Sequence, residues 1–356
     1  MNSNNQKAFL VLVKAGLFPV NHDQCVVHGS VDWMKVYDMA EKQGVAGLVA
    51  DGIERLNVNV PLEVKLQFVG SALQTEQRNK KMNAFIADIV ARMCEKGIHT
   101  LLVKGQGIAQ CYEKPSWRPS GDVDFLLDKE NYRKAIDYLI PLSSDCKREE
   151  NYSSHLGLNI NQWYVEVHGS LRTGLSAKVD CIVDEVHEDT FKNHKVRTWK
   201  NGETEVFLPA PDEDVFFVFT HFIKHFYKEG MNLRQVCDWC RLLFCYREKL
   251  DLRVLESRIN RTGLMGEWRA FAALAVDYLG MPIETMPFYD GGSKEDEVRG
   301  KKLVELILDG YSGSVVQDTW KIAKIFPWNT IRFAPAIFLN VNWLKVKERL
   351  FGNRKL

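Results

Sequence analysis

The stretch LLVKGQGIAQCYEKPSWRPSGDVDFLL, Leu101 to Leu127, reads as a strand, a tight glycine turn, a short helix, a basic loop and a second strand. Residues two apart on a strand point to the same face. Asp122 and Asp124 therefore project together, while Val123 and Phe125 point the other way, into a core. Two convergent carboxylates beside a glycine turn suit Mg²⁺ and a phosphate, because Mg²⁺ is usually held by one or two carboxylates plus substrate phosphates. Exposed backbone N–H groups at such a turn also favour anions. Lys104, Arg118 and Ser120 add donors nearby.

Working outward toward the N-terminus, residues 1–96 read as helical. Leu10, Val13 and Leu17 share one helical face, and Asp32 is placed to cap a helix through Trp33, Val36, Tyr37 and Ala40. A longer helix is expected from Pro61 to Cys94, with Gly97 as its stop. Its middle, QTEQRNKK (Gln74 to Lys81), reads as a solvated face or a break.

Toward the C-terminus, Asn131 to Ile140 returns to helical spacing. Leu156 to Ile160 and Trp163 to His168 read as strands joined by an Asn161-Gln162 turn. Val179 to Val183 and Val196 to Trp199 are expected to add strands. Asn201-Gly202 before Glu205 to Leu208 reads as a hairpin. Pro209 and Pro211 mark a boundary, after which Asp212 is expected to cap a helix through Phe222. Further helices are expected over Leu233 to Tyr246, Leu252 to Asn260, Glu267 to Leu279 and Glu295 to Leu308. An aromatic tail, Val315 to Phe351, closes the chain and ends in the basic, amphipathic WLKVKERLFGNRK. Such a tail could lie on a membrane surface, but packing on its own domain is the commoner outcome, and Pro327 and Pro335 argue against one long surface helix. The domain division that follows is 1–96 helical, 97–209 α/β, and 210–356 helical.

A third carboxylate is expected on a neighbouring strand. Glu166, in NQWYVEVHGSLR, is the candidate, 166 − 124 = 42 residues after Asp124. That interval holds a helix and a hairpin, enough to bring the two strands side by side. His168 shares Glu166's face and can hold a phosphate or orient a carboxylate. Arg172 follows as a phosphate donor or a solvated arginine. His221 and His225 with Cys237 and Cys240 have a spacing permissive for tetrahedral zinc. Interhelix contacts with buried cysteines are the ordinary alternative. Arg234 and Asp238, four apart, read as a salt bridge within one helix.

Composition sets the outer bounds. The 356 residues suffice for two or three domains, and 46% hydrophobic with 26% charged residues is ordinary for a globular chain. A net charge of +1 supplies no global field for a nucleic-acid track. The eight cysteines show no disulfide-scaffold spacing. The N-terminus lacks a signal peptide's shape, and no stretch reaches the roughly 18 apolar residues of a membrane span. These features point to the cytoplasm and exclude a stable membrane span.

GQGIAQCYEKPSWRPSGDVDFLL resembles the signature of the uncharacterised nucleotidyltransferase family, within the polymerase-β-type superfamily: a Lys-Gly turn, a short helix ending in Tyr, an Arg-Pro pair, then Asp-hydrophobic-Asp. VEVHGSL resembles its third-carboxylate strand, and LPAPDEDVFFVFTHFIKHFYKEGMNLRQVCDW its downstream helices. The resemblance covers roughly Leu101 to Leu243. It implies an α+β fold, a small mixed β-sheet with helices, flanked by an N-terminal helical segment and a C-terminal helical domain. It also implies transfer of NMP from an NTP to an unidentified acceptor: a small molecule, sugar, protein or RNA end. Asp122, Asp124 and Glu166 become the catalytic carboxylates holding two Mg²⁺ ions, with Mn²⁺ as the alternative. Lys104, Gly105, Gln106, Arg118, Ser120 and His168 become nucleotide contacts. Where the wider superfamily has Gly-Ser at the turn, this chain has Gly105-Gln106. That departure supports an alternative, a non-catalytic nucleotide-binding or protein-interaction member of the fold. A helical scaffold is the remaining reading.

Overall fold

The computed structural model describes residues 3–19, 27, 29–148, 155–310 and 315–334. It has an α+β fold: a small mixed sheet flanked by helices. Four helices lead in: α1 (Asn4–Leu17), α2 (Trp33–Lys42), α3 (Ala46–Arg55) and α4 (Leu62–Glu95). Asp32 caps α2 by accepting from the Lys35 N–H. α1 and α3 cross so closely that a Cβ on Gly16 would stand 2.1 Å from the Leu48 carbonyl oxygen, and one on Gly52 2.1 Å from that of Leu12.

α4 is continuous for 34 residues, so its polar middle is not a break. Nor is that middle simply solvated. Asn79 is buried and donates to the Ser116 and Arg118 carbonyls, both at 2.8 Å. Arg78 donates to the Ser120 and Gly121 carbonyls, and the Trp117 indole donates to Glu76. A polar helix face at this point binds a loop, which a periodicity argument cannot distinguish from a face that binds water.

The α/β segment follows: β1 (Leu101–Val103), α5 (Gly105–Ala109), β2 (Asp122–Leu126), α6 (Lys129–Leu139), β3 (Asp145–Arg148), β4 (His155–Ile160), β5 (Trp163–His168), α7 (Ala177–Lys192), β6 (Val196–Asn201) and β7 (Thr204–Pro209). The main sheet has the order β1-β2-β5-β4-β3, with β2 and β5 parallel and the other neighbours antiparallel. Asn161, with φ +55°, and Gln162 turn β4 into β5. β6 and β7 form the expected separate hairpin, turned at Gly202, φ +63°.

The strands alternate cleanly. Leu102, Val123, Phe125, Leu156, Leu158, Val165 and Val167 face one core with Met82, Ile86, Ile89 and Met93 of α4 and Ala135 and Leu139 of α6. Asp122, Asp124, Glu166 and His168 occupy the opposite face, as period two requires. One expectation fails here. Val179 to Val183 is no strand but part of α7, which Ser176 caps by accepting from the Val179 N–H. Val179, Ile182, Val183 and Val186 are buried on one helical face, so a short β-branched run had masked a period of 3.6.

The chain closes with α8 (Pro211–Lys228), α9 (Leu233–Tyr246), α10 (Leu252–Thr262), α11 (Met265–Leu279), α12 (Lys294–Asp309), α13 (Val315–Ala323) and α14 (Pro327–Phe333). Asp212 is not the cap of α8. Ala210 takes that position with Pro211 at the first helical residue, where a missing N–H costs nothing. The Asp212 carboxylate instead accepts from the Asp251 N–H. A second core joins the N-terminal and C-terminal helices, bringing Phe9, Leu12 and Val49 together with Phe219, Phe222, Trp239, Trp268 and Phe271. Among the described residues no helix is long and apolar enough to cross a membrane. The WLKVKERLFGNRK segment and Pro335 lie outside the described residues.

Candidate active site

Sheet register builds the site. β2 and β5 run parallel with Asp122 opposite Tyr164 and Asp124 opposite Glu166. Parallel pairing keeps matched residues on one face, so the third carboxylate lands beside the first two. Carboxylate oxygens of Asp122, Asp124 and Glu166 all lie within 4.8 Å of one another. They line a cavity of about 940 Å³ walled also by α7, α8 and α9, through His187, His221, Lys224, His225, Arg234 and Asp238.

Charge explains how three carboxylates coexist there. Lys104 Nζ donates to Asp124 Oδ1 at 2.7 Å. Burial works against the Lys104 ammonium, but the charges of Asp124 and Glu166 outweigh it and raise its pKa. The residue has φ +58° and ψ −147°, a region that costs a non-glycine residue about 1–3 kcal/mol. That backbone turn is what brings its side chain onto Asp124. Burial and the neighbouring Asp124 charge push the Asp122 carboxyl up from the ordinary range. Glu166 behaves oppositely. Burial would raise it, yet the His155 and His168 imidazoles beside its oxygen and the Lys104 charge hold it well below the ordinary range.

His168 sits at the centre, its Nε2 2.9 Å from Asp124 Oδ1 and 3.3 Å from Glu166 Oε2. His155, its cross-strand partner on β4, places Nε2 3.4 Å from the same Glu166 oxygen. The two imidazoles stack at 4.6 Å. His155 escaped the sequence reading because nothing local marks it. Only its register opposite His168 brings it in.

The turn residues divide. Gly105 has φ +34°, and a Cβ on it would stand 2.9 Å from Ser120 Oγ, so the turn and the loop touch through glycine. Ser120 and Gly105 line the cavity. Gln106 does not. It is buried and donates to Asn79 Oδ1 at 2.8 Å, against α4. Arg118 lines the cavity, but its guanidinium is committed to a buried fork with Asp238, Nε to Oδ1 at 3.0 Å and Nη2 to Oδ2 at 2.6 Å. Tyr112 donates to the same carboxylate. The expected pair between Arg234 and Asp238 therefore does not form. Asp238 belongs to Arg118, a bidentate partner across the fold, and Arg234 donates to the Pro119 carbonyl at 2.8 Å. Arg234 also lines the cavity, a cation on its wall that its helical spacing did not reveal. Arg172 is paired with Asp184.

His221 and His225 bond each other, Nε2 to Nε2, at 2.9 Å, and His225 Nδ1 meets Glu229 at 2.7 Å. Cys237 and Cys240 are buried in the helical core, their thiols pushed up by burial. Among the described residues these four do not converge. Among the described residues, the groups whose ligand atoms converge are Asp122, Asp124 and Glu166, and His155, Glu166 and His168.

The oxygen-only group fits a hard divalent cation. Its donors are carboxylates and they converge. No curated protein and no solved structure matches the chain. A family model described as an uncharacterised nucleotidyltransferase matches residues 29–280, which include every strand of the main sheet and all three carboxylates. The chain belongs to the uncharacterised nucleotidyltransferase family.

Proposed function

We propose that the protein is a Mg²⁺-dependent nucleotidyltransferase, passing NMP from an NTP to a hydroxyl or phosphate of an acceptor still to be identified. The observation that carries this reading is the convergence of Asp122, Asp124 and Glu166 on one wall of a 940 Å³ cavity. Asp122, Asp124 and Glu166 would hold the metal, Mg²⁺ or alternatively Mn²⁺. When bound there it would neutralise phosphate charge and make an attacking hydroxyl easier to deprotonate.

The chain's own residues do the rest. Lys104 and Arg234 put cationic groups on the cavity wall for the phosphates. His168 holds Asp124 and Glu166 in place by contacting both. Glu166 would bind the metal beside Asp122 and Asp124 and help deprotonate the acceptor. Arg118, locked by Asp238, shapes the loop leading into β2. The division into residues 1–96, 97–209 and 210–356 serves this reading: the central segment supplies the carboxylates and α8 and α9 close the cavity. Cytoplasmic localisation belongs to the same proposal.

One observation favours a second reading. Gln106 stands where the wider superfamily's serine meets triphosphate, and its amide is engaged with Asn79 instead. A non-catalytic nucleotide-binding member would tolerate that. Thermal shifts with each NTP, with and without Mg²⁺, test both. A ligand at about 100 times its Kd adds about 2.7 kcal/mol to the folded state. A Mg²⁺-dependent shift is expected in the wild type and should vanish in Asp122→Ala/Asp124→Ala. Pyrophosphate release then separates enzyme from binder. No shift with any NTP overturns both readings.

A further inference from the structure

One line of titratable groups on the cavity wall takes no part in holding the metal. His221 and His225 of α8, and Glu229 just past its end, all line the cavity. Glu229 Oε2 lies 2.7 Å from His225 Nδ1, and His225 Nε2 lies 2.9 Å from His221 Nε2. These contacts fix where the protons sit. The Glu229 carboxyl is pushed down to about 2, first by its bond with His225, so it is ionised and can only accept. His225 Nδ1 therefore carries a hydrogen. In a neutral imidazole the other nitrogen then has none, so His225 Nε2 accepts and His221 Nε2 donates. His221 is left with a bare Nδ1, a proton acceptor on a ring of the cavity wall.

We propose that His221, His225 and Glu229 form a proton relay that takes the acceptor's proton during transfer and returns it to the departing pyrophosphate. The proposal rests on the nucleotidyltransferase reading and adds the proton's route to it. As the acceptor oxygen bonds the α-phosphorus and the bond from that phosphorus to the pyrophosphate oxygen breaks, the O–H proton that Glu166 helps to loosen passes to His221 Nδ1, directly or through one water. His221 gives its Nε2 proton to His225 Nε2. The positive charge thus comes to rest on His225, against the Glu229 carboxylate, and not on His221, where burial and the Lys104 charge oppose it. Reversal of both shifts hands the proton to pyrophosphate and restores the two rings. His225 and Glu229 are positioning residues, which act through His221.

The test follows pyrophosphate release by the full-length protein with Mg²⁺ and the NTP that gives the largest thermal shift, water serving as acceptor. His221→Gln is expected to lower kcat roughly 100-fold or more, the usual worth of a positioned acid–base group, and to leave KM within about threefold. Glu229→Gln, which keeps an oxygen for His225 but no charge, should lower kcat by less. Wild-type kcat should fall as the pH drops from about 7 to 5, because a proton already on the pair blocks the relay, and that limb should vanish in His221→Gln. The charged neighbours are Lys104, Lys224 and His168 around His221, and Lys224 and Lys228 around Glu229. Nitrogen NMR shifts of the wild-type rings give a readout that needs neither activity nor a folded variant: Nδ1 bare and Nε2 protonated in His221, the reverse in His225. A His221→Gln kcat within about threefold of wild type, a protonated His221 Nδ1 at neutral pH, or an acidic limb that survives His221→Gln would each overturn the relay while transfer stands. No pyrophosphate release from any NTP by the wild type would instead sink the transfer reading, and the relay with it.

Discussion

The Arg118–Asp238 pair shows what single residues decide. Both side chains are 6% exposed, and the pair joins the loop before β2 to α9. Removing one partner of a buried pair strands the other charge, typically at a cost of about 3–5 kcal/mol. Asp238→Ala is expected to lose that much in urea unfolding and also to orphan the Tyr112 hydroxyl. A loss below about 1 kcal/mol would mean that water reaches Arg118. Histidines set the pH response. His221 is held well below 6.5 by burial and the Lys104 charge, and His187 is held below it, chiefly by burial. Both are therefore neutral when folded, while their unfolded counterparts gain protons below 6.5. The unfolded state binds more protons there, so stability rises with pH up to about 6.5 and falls as the pH drops below it. His221→Gln should flatten that fall between about pH 6.5 and 5, as read from urea midpoints. An unchanged slope would show that His221 is protonated in the folded protein. Sequence spacing named Arg234 as Asp238's partner, and missed Arg118, because an i,i+4 rule sees neighbours on one helix only.

At the scale of elements, α4 is both a core helix and a brace for the site. Its apolar residues from Met82 to Met93 pack under the sheet, while Asn79 ties down the loop from Ser116 to Arg118 and accepts from Gln106. Asn79→Ala leaves loop carbonyls without their donor, a penalty of about 1–3 kcal/mol. Lys80→Ala, one residue on and exposed, should change stability by no more than about 0.5 kcal/mol. Asn79→Ala should also lower the transfer rate, because the loop it ties leads directly into Asp122. Paired unfolding and pyrophosphate-release measurements on the two variants check this, and equal effects would sink the bracing role. The strands and their faces were legible in the sequence because alternation is local. The brace was not, because polarity on a helix face does not say whether water or a carbonyl will answer it. α7 was misread for a related reason: a five-residue β-branched run carries too few turns to reveal its helical period.

At the scale of the molecule, the helices on either side of the sheet share one core. Phe9 and Leu12 of α1 pack in the same cluster as Trp239 and Trp268. Trp268 is fully buried, donates to the Pro287 carbonyl at 2.8 Å, and sits edge-on to Trp239 with centroids 4.7 Å apart. Trp268→Ala is expected to cost about 3–5 kcal/mol. Because the core spans both ends of the chain, the loss should lower one unfolding transition, with tryptophan fluorescence and far-UV circular dichroism coinciding. Two separated transitions would show that the ends melt independently.

From local patterns alone, the sequence determined the Asp122–Asp124 pair on one strand face, the Asn161 and Asn201-Gly202 turns, and Glu166 with His168 as their partners on another strand, and the family resemblance added the α+β class. Alternation, turn chemistry and motif spacing act over a few residues, so they can be read without a fold. Tertiary structure alone decided that Asp124 lies level with Glu166, that His155 joins them, that Asp238 belongs to Arg118, and that Asn79 holds the loop. Each of those depends on sheet register or helix docking between residues 11 to 120 apart, where the choice of partner is made by burial and close packing of the whole chain.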